Sequence, residues 1–162
     1  MKRYHIKVKE FRRLSERLPE PLRSRILSSL PKKPSVEVWE EENFKLYLVD
    51  GEPRLVETRD GVFFPPLICS SLVEPLPKVA VDRGAIPHIC GGADVMRPGI
   101  VKVEGDFQVN ALVVVVDEQY GKPLAIGLSL LPSCELLKAE RGKMIKTVHH
   151  VNDKIWNLYR NL

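Results

Sequence analysis

The stretch CGGADVMRPGI, which ends at residue 100, surrounds one arginine, Arg97, with residues that direct the backbone. Those residues are Gly91, Gly92, Pro98 and Gly99. Glycine lets a backbone approach a ligand closely or adopt a positive φ, whereas proline fixes φ. An arginine guanidinium can donate two parallel hydrogen bonds to a phosphate. The stretch therefore predicts a surface built largely from main chain around Arg97.

Residues that could catalyse a reaction or hold a metal form no recognisable set. His149 and His150 are adjacent on a predicted strand, so they point to opposite faces, one packed and one exposed, and do not readily chelate one metal. His88 and Cys90 lie on a helical turn with no acid to orient the histidine. The carboxylates are assigned to capping, turn and loop roles: Asp82, Asp94 and Asp106. We therefore expect no enzyme activity, no metal and no cofactor.

The elements that position Arg97 form a block of short strands that begins at residue 78. The predicted strands are KVAVD, ADVMRPGIV, DFQVNALVVVVD, KPLAIGLSLL and KMIKTVHHV. A helical turn is predicted over residues 83–90 and a short helix over 133–139. Because glycines fall in or beside the gaps between many short strands, this block predicts a small closed or nearly closed β-barrel.

The block before it has helices first and strands afterwards. Apolar residues recur every three or four positions between residues 10 and 30, and Pro21 starts a second helix within that range. The segments SVEVWEEE, NFKLYLV and PRLVET follow as strands, the last two joined at Asp50-Gly51. Pro75 and Pro77 form a stiff connection. The sequence predicts an α+β protein with domains 1–77 and 78–162.

Positive charge is concentrated at the start of the chain. The formal net charge is +4, yet the first 33 residues carry eleven basic and only three acidic side chains. This excess predicts a secondary phosphate-binding face on basic helices, although an ordinary solvated surface would have the same composition. Its candidate residues are Lys7, Lys9, Arg12, Arg13, Arg17, Arg23, Arg25, Lys32 and Lys33.

Composition also limits the cellular setting. No apolar run approaches the roughly 20 residues that cross a bilayer, and the first residues lack the apolar stretch of a secretory signal. The three cysteines are widely separated and form no CxxC pair, so we expect them to be buried apolar residues. These features predict a soluble, cytoplasmic protein without a membrane partner.

The second block resembles a PUA domain, a small barrel found in RNA-modifying enzymes. The resemblance depends on VDRGAIPHICGGADVMRPGI, on LAIG and on RGKMIKTVHHVND. The front block, with LPKKPSVEVW and the hairpin VDGEPRLVETRDGVFFPPL, is similar to that of the malignant T-cell-amplified-sequence family of translation factors. The likeness covers nearly the whole chain. It implies an N-terminal pre-PUA domain followed by a PUA-type β-barrel.

This resemblance implies RNA binding rather than catalysis. The implied ligand is structured RNA, either transfer RNA at its acceptor end or ribosomal RNA, bound during initiation or recycling. The implied protein partners are the small ribosomal subunit and a density-regulated-protein-like translation factor. Two alternatives remain: an accessory RNA-binding subunit of an RNA-modification enzyme, and a protein-interaction scaffold.

The resemblance also assigns an RNA surface to the first barrel helix, the glycine loop after it, the end of the second strand and part of the last strand. Arg97 would be exposed and bind a phosphate, Lys143 and Lys146 would supply charge, and Met96 would pack on a ribose or base. The full set is Arg83, His88, Gly91, Gly92, Ala93, Asp94, Met96, Arg97, Pro98, Lys143, Lys146 and His149.

Overall fold

The computed structural model describes residues 1–161 and contains two compact units, of which the first is Met1–Pro75 and the second starts at Leu76. Helices and strands occur in both units. The predicted α+β fold class is confirmed. No helix within residues 1–161 is long and apolar enough to span a membrane.

Within residues 1–75, five strands form one antiparallel sheet in the order β1-β2-β3-β4-β5. The strands are β1 (Lys2–Ile6), β2 (Val36–Glu40), β3 (Phe44–Val49), β4 (Glu52–Thr58) and β5 (Phe63–Phe64). The helices are α1 (Val8–Ser15), α2 (Leu22–Ser28) and α3 (Ser70–Val73). The two predicted helices and the hairpin at Asp50-Gly51 are confirmed, because α1 and α2 bury Phe11, Leu22 and Ile26 and the turn joins β3 to β4.

The strand β1 was not predicted, and residues 2–6 are therefore not part of a basic helix. It pairs antiparallel with β2 from Lys2 opposite Glu40 to Ile6 opposite Val36. Four of its five residues are exposed, so the strand has no buried face and no alternating apolar pattern. Arg3 covers Trp39 of β2, with its guanidinium carbon 4.0 Å from the ring centroid. Backbone pairing and this cation–π contact hold an edge strand that hydrophobicity does not indicate.

Within residues 76–161, six strands form a second sheet in the order β7-β11-β10-β9-β6-β8. The strands are β6 (Lys78–Val81), β7 (Val95–Met96), β8 (Ile100–Glu104), β9 (Leu112–Asp117), β10 (Pro123–Ser129) and β11 (Lys143–His150). The helices are α4 (Ile86–Cys90), α5 (Ser133–Leu136) and α6 (Lys154–Arg160). The edge strands β7 and β8 are joined by a 3₁₀ turn of only three residues, Arg97–Gly99, so the sheet must curl until its edges lie close together.

The curled sheet encloses an aliphatic core. The strand β9 is buried along its whole length because it lies between β10 and the parallel neighbour β6. Ile89 of α4 and Leu136 of α5 pack into the same core, as do Val95 and Ile145 of the paired strands β7 and β11. This packing fixes the position of α4 and β7, the two elements on either side of the glycine loop.

Several local predictions for this unit need correction. The strand predicted over 93–101 is interrupted by the 3₁₀ turn, the strand predicted over 106–117 begins only at Leu112, and the helix predicted over 133–139 ends at Leu136. The helix after β6 starts at Ile86 rather than residue 83, because residues 83–85 form a turn closed by the Ala85 amide on the Asp82 carboxylate. The final helix α6 was not predicted. Of the cysteines, only Cys69 is buried, whereas Cys90 is half-buried and Cys134 is exposed.

Candidate nucleic-acid interface

A groove of about 540 Å³ lies between α4 and the segment that runs through β7 to the 3₁₀ turn. Most of its lining is apolar, with carboxylates and one histidine among the apolar side chains. The lining residues are Asp82, Gly84, Ala85, His88, Ile89, Ala93, Asp94, Val95, Met96, Pro98 and Gly99. This volume is within the range of pockets that hold a small ligand.

Five residues predicted from the sequence line this groove: His88, Ala93, Asp94, Met96 and Pro98. Others lie at its edge. Arg83 is exposed between two lining residues, Lys143 is paired with Met96 across strands, and Lys146 is close enough to Asp94 to affect its ionisation. The predicted set is therefore largely brought together. The exceptions are Gly91 and Gly92, which do not line the groove, and the side chains of His149 and Arg97.

The glycine loop ends α4 and does not present free amides. Gly91 donates to the carbonyls of Pro87 and His88, Gly92 donates to Ile89, and Ala93 donates to His88, at 3.0–3.1 Å. A helix C-terminus leaves carbonyls without partners, and these amides satisfy them. These amides are therefore already hydrogen-bonded within the protein, so the structure offers no free amides for the contacts that the PUA resemblance implied for this loop.

Gly92 is the residue in this loop at which any side chain would be strained. Its φ is +94°, which is a left-handed conformation that L side chains rarely adopt. An added Cβ would also lie 3.0 Å from Nε2 of His150. Glycine at this position lets the loop turn back directly over the histidine ring.

Asp94 attaches the loop to the last strand. Its carboxylate accepts the Thr147 amide at 2.8 Å and binds the Lys143 ammonium at 2.9 Å. Partial burial raises the pKa of Asp94, but the Lys143 and Thr147 hydrogen bonds outweigh it and lower that pKa below its usual value. Lys143 is therefore an ion-paired cation at the groove edge, with half of its side chain still exposed.

Arg97 is not the exposed ligand that the sequence predicted. Its guanidinium is half-buried and donates to three backbone carbonyls, those of Ala139, Ile100 and Leu137, at 2.9, 3.0 and 3.1 Å. Two of these acceptors, Ala139 and Leu137, lie about forty positions away in sequence, just after α5. The side chain ties the 3₁₀ turn at the groove edge to the segment that follows α5.

His149 was predicted to contact RNA, but it is fully buried. Its Nδ1 lies 2.8 Å from Asp153 Oδ2, and Asp153 is the N-cap of α6. An ionised carboxylate only accepts hydrogen bonds, so the Nδ1 carries the proton. The adjacent residue, His150, is the one beside the glycine loop. Its Nδ1 donates to the Val151 carbonyl, which leaves Nε2 toward Gly92.

Asp153 gives the C-terminal segment a specific dependence on pH. Burial raises the pKa of Asp153. The hydrogen bonds from His149 and from the Trp156 and His150 amides lower it by more, so the pKa of Asp153 is below its usual value. A lowered folded-state pKa stabilises the protein above the unfolded-state value, and that stabilisation is lost as the pH falls through the folded-state value.

Replacing Asp153 by asparagine is therefore expected to lower Tm at pH 7 by roughly 5 °C or more, because a charged acceptor is lost. Asparagine is as good an N-cap as aspartate, but its NH2 group cannot accept, so the substitution removes one hydrogen-bond acceptor together with the charge. The difference from wild type should shrink once the pH falls below the ordinary aspartate value of about 3.9. Thermal melts of both proteins from pH 7 to pH 3 measure this, and a difference that stays constant with pH would contradict it.

The fold and the groove define the class of this protein. Residues 77–151 match the PUA domain family model, and residues 2–70 match a model described as a domain of unknown function. A hypothetical protein from Pyrococcus horikoshii has a solved structure with a TM-score of 0.80 and 34% identity, covering 98% of this chain and 99% of that one. The second unit is therefore a PUA domain, as predicted.

Two relatives identify the family of the whole chain. Translation machinery-associated protein 20 of Saccharomyces cerevisiae is 31% identical over 79% of this chain and 75% of its own length. Malignant T-cell-amplified sequence 2 of Mus musculus is 29% identical over 90% of this chain and 82% of its own length. The chain belongs to the PUA-domain family that contains these two proteins. Neither name is that of an enzyme.

Proposed function

We propose that the PUA unit binds an unpaired end of a structured RNA, with a nucleoside in the groove and phosphates at its edge. The observation that supports this most directly is that the groove has an apolar lining and that exposed cations lie at its edge. Ile89, Val95 and Met96 provide an apolar lining, whereas the exposed cations Arg83, Lys143 and Lys146 lie outside it. A nucleotide has the matching arrangement, with a flat apolar base and a charged phosphate.

The carboxylates favour a nucleoside over a phosphate inside the groove. Asp82 and Asp94 both line it, and they would repel a phosphate placed there. Their oxygens can instead accept hydrogen bonds from base amino groups or from ribose hydroxyls. The 2′-hydroxyl offers such a donor only in RNA, so the groove is expected to prefer RNA to DNA.

The family relationship supports a role in translation. The yeast relative is named as a protein associated with the translation machinery. We propose that this chain acts without catalysis in the cytoplasm, on the acceptor end of transfer RNA or on ribosomal RNA of the small ribosomal subunit. A density-regulated-protein-like factor is the proposed protein partner. An accessory role in RNA modification remains the competing proposal.

A secondary RNA contact is proposed on the first unit. Of its nine candidate side chains, eight are exposed, whereas Arg23 is half-buried and binds Glu20 at 2.8 Å. Arg17 lies over the ring of Phe63 at 4.9 Å, which fixes one of these charges to the sheet. The cations of α1 are Lys9, Arg12 and Arg13, which are exposed and could bind phosphates, and such contacts would add to the salt dependence of RNA binding.

The groove is tested by placing a negative charge in it. Met96→Glu is expected to weaken binding of an RNA hairpin with an unpaired 3′ end by about tenfold or more, because it removes an apolar contact and adds repulsion. Fluorescence anisotropy at one fixed salt concentration gives the affinities. The same hairpin made of DNA should bind more weakly than the RNA.

Val109→Glu is the matched control. Met96 and Val109 are each 49% exposed and both lie in the PUA unit, so the two substitutions change charge and surface apolarity alike. Val109 does not line the groove. Equal affinities of the two variants for the hairpin would reject the groove as the RNA site.

The translation role is tested separately by sedimentation. A translation factor should travel with small ribosomal subunits through a sucrose gradient, and the Met96→Glu variant should do so less. A wild-type protein found only in light fractions would favour the competing role in RNA modification.

A further inference from the structure

The most exposed large apolar residue in residues 1–161 is Tyr120, at the turn between β9 and β10, with 81% of its surface accessible. Within the described chain, its ring has no aromatic, cation–π or side-chain hydrogen-bond contact that would explain this position. An isolated exposed aliphatic residue is common on protein surfaces. A fully projecting aromatic ring on a fixed turn is less common and offers a flat face to a partner.

The turn that carries Tyr120 is held by one buried carboxylate. Asp117 is 7% exposed, and its side chain accepts the amides of Tyr120 and Lys122. The Gly121 amide donates to the Asp117 carbonyl, and the Asp117 amide donates to the Lys122 carbonyl. The hydrogen bond from the Tyr120 amide is the largest cause that lowers the pKa of Asp117, so the carboxylate stays ionised. Such a turn fixes the backbone from which the ring projects before any partner binds, which reduces the entropy cost of ordering this segment on binding.

The same turn is fixed to one end of the groove. The Glu118 amide donates to the Val81 carbonyl at 3.0 Å, and Val81 immediately precedes the groove residue Asp82. Two residues span at most about 7 Å, so the Tyr120 Cα lies within that distance of the Glu118 Cα. The backbone of this turn is therefore attached beside the end of the groove where Asp82 and Gly84 lie.

Two exposed cations lie at this end of the groove. Arg83 and Lys122 are on the two segments that Val81 and Glu118 connect. The same segments carry Asp82, Asp117 and Glu118, so the proposal depends on these two exposed side chains and not on an excess of positive charge. A strand leaving the groove here would meet cations for its phosphates and one exposed aromatic ring for a base.

We propose that Tyr120 is a stacking subsite for an unpaired base next to the nucleoside in the groove, so that the PUA unit reads a single-stranded RNA end of more than one nucleotide. This inference depends on the proposed function of the groove. Base–aromatic stacking needs a π-face but no particular base, so the subsite would recognise single-strandedness and length rather than sequence.

The experiment compares two RNA hairpins that differ only in the length of the 3′ overhang, one unpaired nucleotide or four. Tyr120→Ala is expected to weaken binding of the long-overhang hairpin about 5- to 100-fold and to leave the short-overhang hairpin unchanged. Tyr120→Phe retains the ring and should bind both as wild type does. Tyr120→Leu retains apolar bulk without a π-face and should behave like Tyr120→Ala. A 2-aminopurine in the overhang should be quenched by wild type and not by Tyr120→Ala.

The Met96→Glu variant separates failure of this inference from failure of the groove proposal. If Met96→Glu weakens both hairpins while Tyr120→Ala changes neither, or changes both equally, the stacking subsite is rejected and the groove stands. If Met96→Glu binds both hairpins as wild type does, or if wild type binds neither, the groove proposal fails and the subsite fails with it. Reduced co-sedimentation of Tyr120→Ala with small subunits, at unchanged affinity for both hairpins, would assign the ring to a protein contact and reject the subsite.

Discussion

Gly127→Ala is expected to destabilise the PUA unit by about 3 kcal/mol or more, the upper end of the range for overpacked sites. A Cβ at this position would collide with the Ile145 Cγ2 atom and would lie 2.8 Å from the Lys146 carbonyl oxygen. The second contact is with backbone, so a change of rotamer cannot relieve it. Both strands would have to move apart at the irregular pairing between β10 and β11.

Denaturant unfolding measures this effect. Each unit contains one tryptophan, Trp39 or Trp156, so a Trp39→Phe background makes the fluorescence report on the second unit. Gly84→Ala is the control, because its added Cβ would make only an ordinary contact, 3.6 Å from Asp82 Oδ1. An unchanged midpoint for Gly127→Ala would mean that β10 and β11 are not this close in solution.

Gly127 also illustrates what a sequence can and cannot indicate. The glycine follows an apolar strand and was part of the resemblance to PUA domains, so its importance was visible. The reason for the glycine was not visible in the sequence, because the close approach involves a partner strand about twenty residues later. Elements with a regular apolar period, such as α1, α2 and β9, were predicted correctly because burial of one face or of both faces leaves a repeating pattern.

The strand β1 and the helix α6 were missed for different reasons. The strand β1 is an exposed edge, so no local pattern could have indicated it. The helix α6 did have a signal: Asp153 is an N-cap residue, and Ile155, Leu158 and Tyr159 follow at helical spacing. That segment was interpreted only as the end of the barrel.

The candidate site was located by the sequence, but the orientation of individual side chains was not. Alternation along β11 requires one of His149 and His150 to be buried, and the pattern alone does not say which. The irregular pairing of β11 with β10 and β7 determines that His149 is inside. The loop amides were misjudged for a similar reason, since the end of α4 lies close enough to accept all of them.

Arg97 holds the 3₁₀ turn to the segment after α5, so its removal is expected to destabilise the PUA unit. Arg97→Ala is expected to lower the free energy of unfolding of the PUA unit by about 2 to 3 kcal/mol, because a charged donor to three carbonyls is lost. Arg97→Lys should recover only part of this stability, since one ammonium cannot replace the planar guanidinium.

Arg83→Ala is the control: this arginine is exposed in the same unit, and its loss should change stability by less than about 0.5 kcal/mol. Denaturant unfolding in the Trp39→Phe background gives all three values. If Arg97→Ala unfolded at the wild-type midpoint and yet bound the short-overhang hairpin more weakly, Arg97 would be an RNA ligand rather than the side chain that fixes the groove edge.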